Sequence, residues 1–344
     1  MRERPTLQDI AAKVGVSLTT VSQTLNNKGA VSRKTRTRVL KAAEALGYQQ
    51  RVAVAPRLNA QMTSVAMVVK HDPDASKPTN PFHYDIIKGI EKQCRALGLD
   101  LRYTSVDVDE NSRTLEVPDI LDNRDVHGVL MVGAVVEDGA SFLGAVGDRP
   151  LVFVNGYLRG APYDRVGIDN RSGAYDATRY LLEQGHRKIG FVGGGKGTHP
   201  SIGERREGYQ GALEEADSDD KPRFADSLIL RPDFAEPAAH TLLADNPEIT
   251  AVVAASDNVA MGVMKAAAAL GLRLPEDLSL VGFDNLSAVR HLSPPLTTMN
   301  IDKGYMGALA VRHLYDSPVF PERPATTLLV RPDLVVRASV SERG

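Results

Sequence analysis

The stretch Thr6-Leu-Gln-Asp-Ile-Ala-Ala-Lys-Val-Gly-Val-Ser17 opens with a hydroxyl residue followed three positions later by an acid. That is the form of a helix N-cap and its reciprocal partner. Leu7, Ile10, Ala11 and Val14 then recur at helical spacing. Gly15 suits the left-handed turn that ends such a helix. Ser17 is placed to cap a second short helix running to about Asn26, with Val21 and Leu25 inward and Leu18, Thr19, Ser22 and Gln23 projecting elsewhere. Ser32 is placed to cap a third, with Thr35, Val39, Ala43 and Leu46 on one face and Gly47 at its end. Two helices joined by a glycine turn, the second short and polar, form a helix-turn-helix arrangement.

Charge supports the same reading. Residues 1–60 carry eleven Lys/Arg and three Asp/Glu, a net of +8, whereas the whole chain of 344 residues sums to −2. A basic head on an acidic body points to a polyanion partner for the head alone. A short polar helix fits the major groove and can offer side chains to base edges. Gln23 has the amide that pairs with an adenine edge, and Arg33, Lys34, Arg36 and Arg38 are placed for phosphates.

Beyond the head, strand and helix patterns alternate twice over. One series has strands at 64–69, 99–106, 128–132 and 151–154 and a helix at 82–97 with Ile86, Ile87, Ile90 and Cys94 inward. A second begins with a strand at 165–168. It continues through helix 171–185, strand 188–192, helix 203–216, strand 227–230, helix 236–245, strand 251–254, helix 257–270 and strand 278–283. Alternation of this kind predicts parallel sheets covered on both faces. The expected fold is therefore a small all-α helix-turn-helix head plus an α/β body of two doubly wound parallel-sheet lobes. Such sheets bind ligands beyond the carboxyl ends of their strands. Asn155, Ser256, Asp257 and Asp284 fall at strand ends, and Arg205 begins a helix after a glycine-rich loop. Asp257 reads better as a helix cap and Asp284 better as a ligand contact. Carboxylates and amides that bind paired hydroxyls, with an aromatic wall, suit a polyol.

Other chemistries are poorly supported. The run 190–197 nearly spells a phosphate loop, but Gly197 stands where Ser or Thr must hold magnesium. The eight histidines are scattered, so no metal or cofactor is expected. Cys94 alone cannot form an intrachain disulfide, which fits a reducing, cytoplasmic setting. No apolar run approaches a membrane span and no apolar segment follows the N-terminus as in a secretory signal.

The head segment 6–17, Thr20-Val-Ser-Gln-Thr-Leu-Asn26 and the run 31–48 resemble the head of lactose-repressor-type (LacI/GalR) transcription regulators. The body motifs Val166-Gly-Ile-Asp-Asn170, Glu204-Arg-Arg-Glu-Gly-Tyr209, Ala255-Ser-Asp-Asn258 and Val281-Gly-Phe-Asp-Asn285 continue the resemblance over essentially the whole chain. It implies a periplasmic-binding-protein-like body and a DNA-binding repressor controlled by a small effector, with a sugar as the family-level expectation. It puts Leu18, Thr19 and Gln23 on base-reading positions, and Thr6, Ser17, Thr20, Ser22, Asn26 and Ser32 on or near DNA-backbone positions. Gln23 stands where many members have Arg, so operator sequence does not transfer. Asn155, Arg205, Ser256 and Asp284 fall on effector positions, and Phe82 and Phe234 on aromatic walls.

The resemblance also divides the chain into a head at 1–48, a hinge at 49–63 and a core at 64–340. Within the core, lobe one takes 64–165 and 301–325, and lobe two takes 166–300 and 326–340. In the hinge, Leu58 matches the residue that wedges into the minor groove, although Pro56 interrupts the helical pattern and a plain linker stays open. The expected partners are a near-palindromic operator, a second copy of the chain and the effector. A two-lobed solute-binding protein is the alternative; the basic head and the missing signal segment speak against it.

Overall fold

The computed structural model describes residues 6–25, 33–45, 62–71, 81–109, 112–195, 197–216, 221–319 and 322–343. They fall into two units, one within Met1–Ala60 and one within Gln61–Gly344.

The first unit packs helices α1 (Leu7–Val14), α2 (Leu18–Leu25) and α3 (Arg33–Ala45). The capping box is formed: Thr6 N donates to Asp9 Oδ2 at 2.6 Å, and Asp9 N donates to Thr6 Oγ1 at 3.4 Å. Gly15 ends α1 at φ 72°, in the left-handed region where a Cβ is penalised. Ser17 Oγ accepts the amide of Thr20 at 3.1 Å and so starts α2. Ile10, Val14, Val21, Val39, Ala42 and Ala43 bury themselves between the three helices. Asn26, Ser32, Leu46, Gly47 and all of 49–61, with Leu58, lie outside the described residues, as does the side chain of Ser22.

In the second unit the strands are β1 (Ser64–His71), β2 (Asp100–Asp107), β3 (Gly128–Val132), β4 (Val135–Val136), β5 (Leu151–Val154), β6 (Tyr157–Leu158) and β7 (Asp164–Ile168). They continue with β8 (Ile189–Val192), β9 (Arg223–Ala225), β10 (Ala251–Ala254), β11 (Ser279–Asp284), β12 (Thr297–Asn300), β13 (Thr327–Val330) and β14 (Asp333–Val335). The helices are α4 (Pro81–Leu97), α5 (Gly139–Val146), α6 (Asn170–Glu183), α7 (Pro200–Glu215), α8 (Pro232–Asp245), α9 (Asp257–Ala269) and α10 (Lys303–Asp316). One sheet runs β13-β7-β5-β3-β1-β2 and the other β14-β12-β11-β10-β8-β9, with β4 and β6 forming a small ribbon. All pairings are parallel except β12 with β14. Runs such as Gly128–Val132 and Ala251–Ala254 are buried at every position, because helices cover both faces of each sheet. Strand order reverses beside β1 in one sheet and beside β8 in the other, which opens a crevice at the carboxyl ends.

The chain crosses between lobes three times, but two crossings fall later than the resemblance implied. β7 pairs with β5 and β13 in the first sheet, so residues 166–168 and 327–330 belong to lobe one. Alternation along the chain does not say which sheet a strand joins. Arg165 and Thr327 sit opposite one another in a ladder that each strand needs to satisfy its backbone groups. A second correction concerns 227–230. The apolar run Leu228-Ile-Leu230 reads as a strand, yet the strand is Arg223–Ala225 and the later residues line a cavity. In lobe one, α4 crosses α10 at glycines: a Cβ on Gly89 would collide with the Gly304 carbonyl oxygen, and one on Gly307 with that of Ile86.

Candidate functional site

Two candidate surfaces emerge, one on each unit. On α2, Leu18 is 46% exposed and Thr19 and Gln23 are exposed, while Val21 on the opposite face is fully buried. Residues four apart share a helix face, so Thr19 and Gln23 point outward together, and Leu18 is exposed at the first position of the helix. Ser17 and Thr20 flank the start of α2 and their hydroxyls lie 2.8 Å apart. Thr6 is exposed at the start of α1 and is engaged by Asp9. Arg38, expected at a phosphate, is exposed and also braces the head. Its Nη2 donates to the Val14 carbonyl at 2.7 Å, tying α3 to the last turn of α1, where a cation also meets the negative end of the helix dipole.

On the body, a cavity of about 190 Å³ opens between the lobes at the carboxyl ends of both sheets. Phe82, Asn155, Arg205, Ser256 and Asp284 all line it. Phe234 does not. It sits in the first turn of α8, 45% exposed, with the Arg231 guanidinium 5.3 Å from its ring centroid. Its place near a motif suggested a wall, but the cavity side of that region is taken by Leu228, Ile229 and Leu230. Lys70, His83, His199 and Arg231 also line it, with the polar side chains of Ser112, Ser201 and Asn258, and were not singled out from sequence. Applying the strand-end rule to β1 and β8 would have found Lys70 and the segment bearing His199.

Arg205 organises the site. Its Nε donates to Asn170 Oδ1 at 2.9 Å, its Nη1 to the Ala255 carbonyl, and its Nη2 lies 3.4 Å from Asp284 Oδ1. The guanidinium carbon stands 3.7 Å from the Phe283 ring centroid, a cation–π contact in a desolvated setting. Asp284 has φ 112°, a left-handed backbone that is strained for a residue with a Cβ. Burial raises its carboxyl pKa, and Arg205 and Lys303 pull it back. Lys303, itself buried, donates to the Asp284 carbonyl. Asp257 accepts from Thr298 Oγ1 and from Leu286 N, each at 2.6 Å. It is fully buried and does not line the cavity; burial and then Asp284 push its carboxyl up. Ser256 caps α9 by accepting the Val259 amide at 3.3 Å. Asn155 sits at φ 50° with its Oδ1 buried and without a protein partner.

Two imidazoles face the same space. Burial, aided by Lys70, pulls His83 down to about 3. His199 is held well below its ordinary value by burial and then by Lys70 and Arg205, and its Nδ1 lies 2.7 Å from Ser201 Oγ. Gly193 explains part of the glycine-rich loop, because a Cβ there would meet the Ala255 side chain at 2.4 Å and its φ is 121°. Among the described residues no group of three His, Cys, Asp or Glu could hold a metal, and no helix is long and apolar enough to cross a membrane.

Comparison with known proteins agrees with this geometry. Residues 6–50 match "Bacterial regulatory proteins, lacI family", and residues 178–340 match "Periplasmic binding protein-like domain". The HTH-type transcriptional repressor PurR of Pasteurella multocida is 32% identical over 342 residues, covering 98% of this chain and 99% of that protein. The HTH-type transcriptional regulator DegA of Bacillus subtilis is 31% identical over 346 residues, covering 98% of each. Among solved structures, the complex of the transcriptional regulator CelR with cellobiose superposes with a TM-score of 0.68 at 29% identity, over 98% of this chain and 100% of that one. The lac repressor dimer bound to operator and the anti-inducer ONPF shares the fold, with a TM-score of 0.67 at 23% identity over 98% and 100% of the two chains. A head built as a helix-turn-helix, a two-lobed body and relatives matched from end to end put this chain in the LacI family of bacterial transcriptional regulators.

Proposed function

We propose that the chain is a homodimeric, cytoplasmic repressor that binds a near-palindromic operator and changes its grip when a small effector fills the interlobe cleft. Twofold protein symmetry imposes twofold symmetry on the DNA site. Leu18, Thr19 and Gln23 read base edges. Thr6, Ser17, Thr20, Ser22, Asn26 and Ser32 hold the DNA backbone, and Leu58 wedges the minor groove. Phe82, Asn155, Arg205, Ser256 and Asp284 hold the effector. The cleft binds rather than turns over its ligand. Its volume of about 190 Å³ lies below the roughly 300–1,000 Å³ of pockets for drug-sized ligands, which suits a molecule of monosaccharide scale. Sugars occupy the CelR and Enterococcus faecium LacI-family relatives, as cellobiose and ribose.

One observation carries the reading: α2 buries Val21 completely while leaving Leu18, Thr19 and Gln23 outward, so the helix is anchored on one face and open on the other. A solute-binding protein has no use for such a helix. The test is a DNA-selection experiment with the full-length protein, followed by titration of the selected duplex. A palindromic consensus whose binding Gln23→Ala weakens supports the reading. Enrichment of no sequence over random DNA defeats it.

A further inference from the structure

The turn that ends β11 carries backbone strain. Asp284 and Asn285 follow one another at φ 112° and 50°, in the left-handed region that favours glycine. Such a pair persists only where its surroundings over-determine it. Asp257 Oδ2 accepts the Leu286 amide at 2.6 Å, Arg337 Nη2 donates to Asn285 Oδ1 at 2.7 Å, and Asn285 Nδ2 donates to Asn300 Oδ1 at 3.0 Å. Arg205 stands 3.4 Å from the Asp284 carboxylate. These braces all belong to lobe two. Asp257 and Arg205 sit on α9 and α7, Asn300 ends β12, and Arg337 is fastened to the Leu296 carbonyl beside it at 2.6 Å.

A further brace comes from the other lobe. Lys303 Nζ donates to the Asp284 carbonyl at 2.5 Å and to that of Ile301 at 3.4 Å. Lys303 is the first residue of α10, which packs on α4 and against β3, β5 and β7 of lobe one. Its ammonium also stands 5.6 Å from the ring centroid of Phe82, on α4. Lys303 is 5% exposed, so the two carbonyls stand in for water around a charge that burial penalises.

Between Asn300 and Lys303 the chain passes from lobe two to lobe one, so this bond spans the crossing itself. The partner of Asp284 is mounted in a similar way. Arg205 Nε is held by Asn170, the first residue of α6, just past the crossing that leaves β7. The cleft ion pair therefore rests on two crossings, one through each member. A rotation of the lobes carries the lobe-two braces along with the turn, but it does not carry Lys303.

We propose that Lys303 is a positioning residue of the cleft, a latch across the crossing that fixes the lobe arrangement and ties the setting of Asp284 to it. What Asp284 then does for a ligand rests on the cleft being the effector site; the latch itself is a property of the two lobes. A ligand that engages Asp284 works on the lobes through Lys303, which gives it a differential affinity for one arrangement.

The test is a double electron–electron resonance measurement of the distance between lobes in the full-length protein. Spin labels are placed through Lys92→Cys on α4 and Glu214→Cys on α7, both exposed positions, while Cys94 is buried away from the reagent. Labelled protein is diluted into unlabelled protein, so that one pair is read per assembly. Lys303→Met removes the ammonium and keeps the stem; Lys303→Gln keeps a donor on a side chain too short to reach the Asp284 carbonyl. Both should shift or broaden the distance distribution by about 2 Å or more, the scale of a domain rearrangement. Arg337→Met removes a brace within lobe two and should lower Tm while leaving the distribution in place. A distribution unmoved in both Lys303 variants overturns the proposal, as does the same movement in Arg337→Met, because the loss of any brace would then suffice. Operator titration of the same proteins separates the latch from the repressor reading. A moved distribution with a changed operator Kd supports both, whereas a moved distribution with an unchanged Kd upholds the latch and counts against control of DNA binding by the lobes.

Discussion

The Tyr157 hydroxyl donates to Glu204 Oε1 at 3.0 Å, and the two residues come from opposite lobes. Arg165 of lobe one donates to the same hydroxyl at 2.6 Å and lies 3.8 Å from Glu204. The other Glu204 oxygen accepts from Asn170 Nδ2 at 2.7 Å, and Asn170 Oδ1 accepts from Arg205 Nε at 2.9 Å. A cleft residue is thus tied, through one amide, to the contact that joins the lobes. Tyr157→Phe leaves Arg165 and Glu204 short of a partner and should destabilise the protein by about 1–3 kcal/mol. It should also shrink the ratio of operator affinities measured with and without ligand. Urea denaturation and operator titration check the two parts. An unchanged ratio would show that the contact does not report cleft occupancy.

The reading face should separate specificity from affinity. Gln23→Ala should cost about 1–3 kcal/mol at the selected operator, the worth of one bidentate base contact. Binding to random duplex should hardly change, because phosphate contacts carry it. Anisotropy titrations on the two duplexes give the comparison; equal losses on both would remove Gln23 from the base-reading set.

Arg205 needs a conservative substitution. Truncation to alanine strips a buried ion pair of its cation, which typically destabilises by about 3–5 kcal/mol and confounds any loss of response. Arg205→Lys keeps the charge opposite Asp284 but cannot serve Asn170, Ala255 and Asp284 with one planar fork. Operator binding without ligand should persist and ligand sensitivity should fall at least about tenfold, within the usual range of allosteric coupling. Full sensitivity in this variant would place the effector elsewhere.

Acid should weaken the fold through its buried imidazoles. His83, His186 and His199 all have depressed folded-state pKa values, with burial the first cause in each. The unfolded chain binds protons below about 6.5 that the folded chain refuses, so this stability is present above that pH and drains away as pH falls. For His83 the window runs from about 6.5 to about 3. His83→Asn should flatten the decline between pH 6 and 4 by up to about 1.4 kcal/mol per pH unit. Asp257 and Asp284 shift in the opposite sense, but they are common to both proteins and cancel in the difference. Parallel stability–pH curves would mean that His83 takes its proton as readily folded as unfolded.

Local rules made much of this molecule legible. Thr6 with Asp9, and Gly15, announced α1, because capping depends on neighbours in the chain. Asn155, Ser256 and Asp284 could be placed because strand ends in doubly wound sheets converge by topology. What stayed hidden depends on partners distant in sequence. Whether 165–168 joins the first or second sheet is settled by a ladder with Thr327–Val330. His83 and His199 have no metal-like spacing, and they matter only because two lobes bring them to one cavity. Phe234 misled because an apolar residue in a first helical turn faces inward or outward according to packing, and here it faces Arg231 and solvent.

The most direct measurement is the affinity of the full-length protein for its selected operator, titrated with and without a saturating cleft ligand. Occupancy should change the dissociation constant by roughly 5- to 150-fold, the scale of about 1–3 kcal/mol of coupling. A ligand that demonstrably fills the cleft and leaves that constant unchanged would contradict control of DNA binding by the cleft.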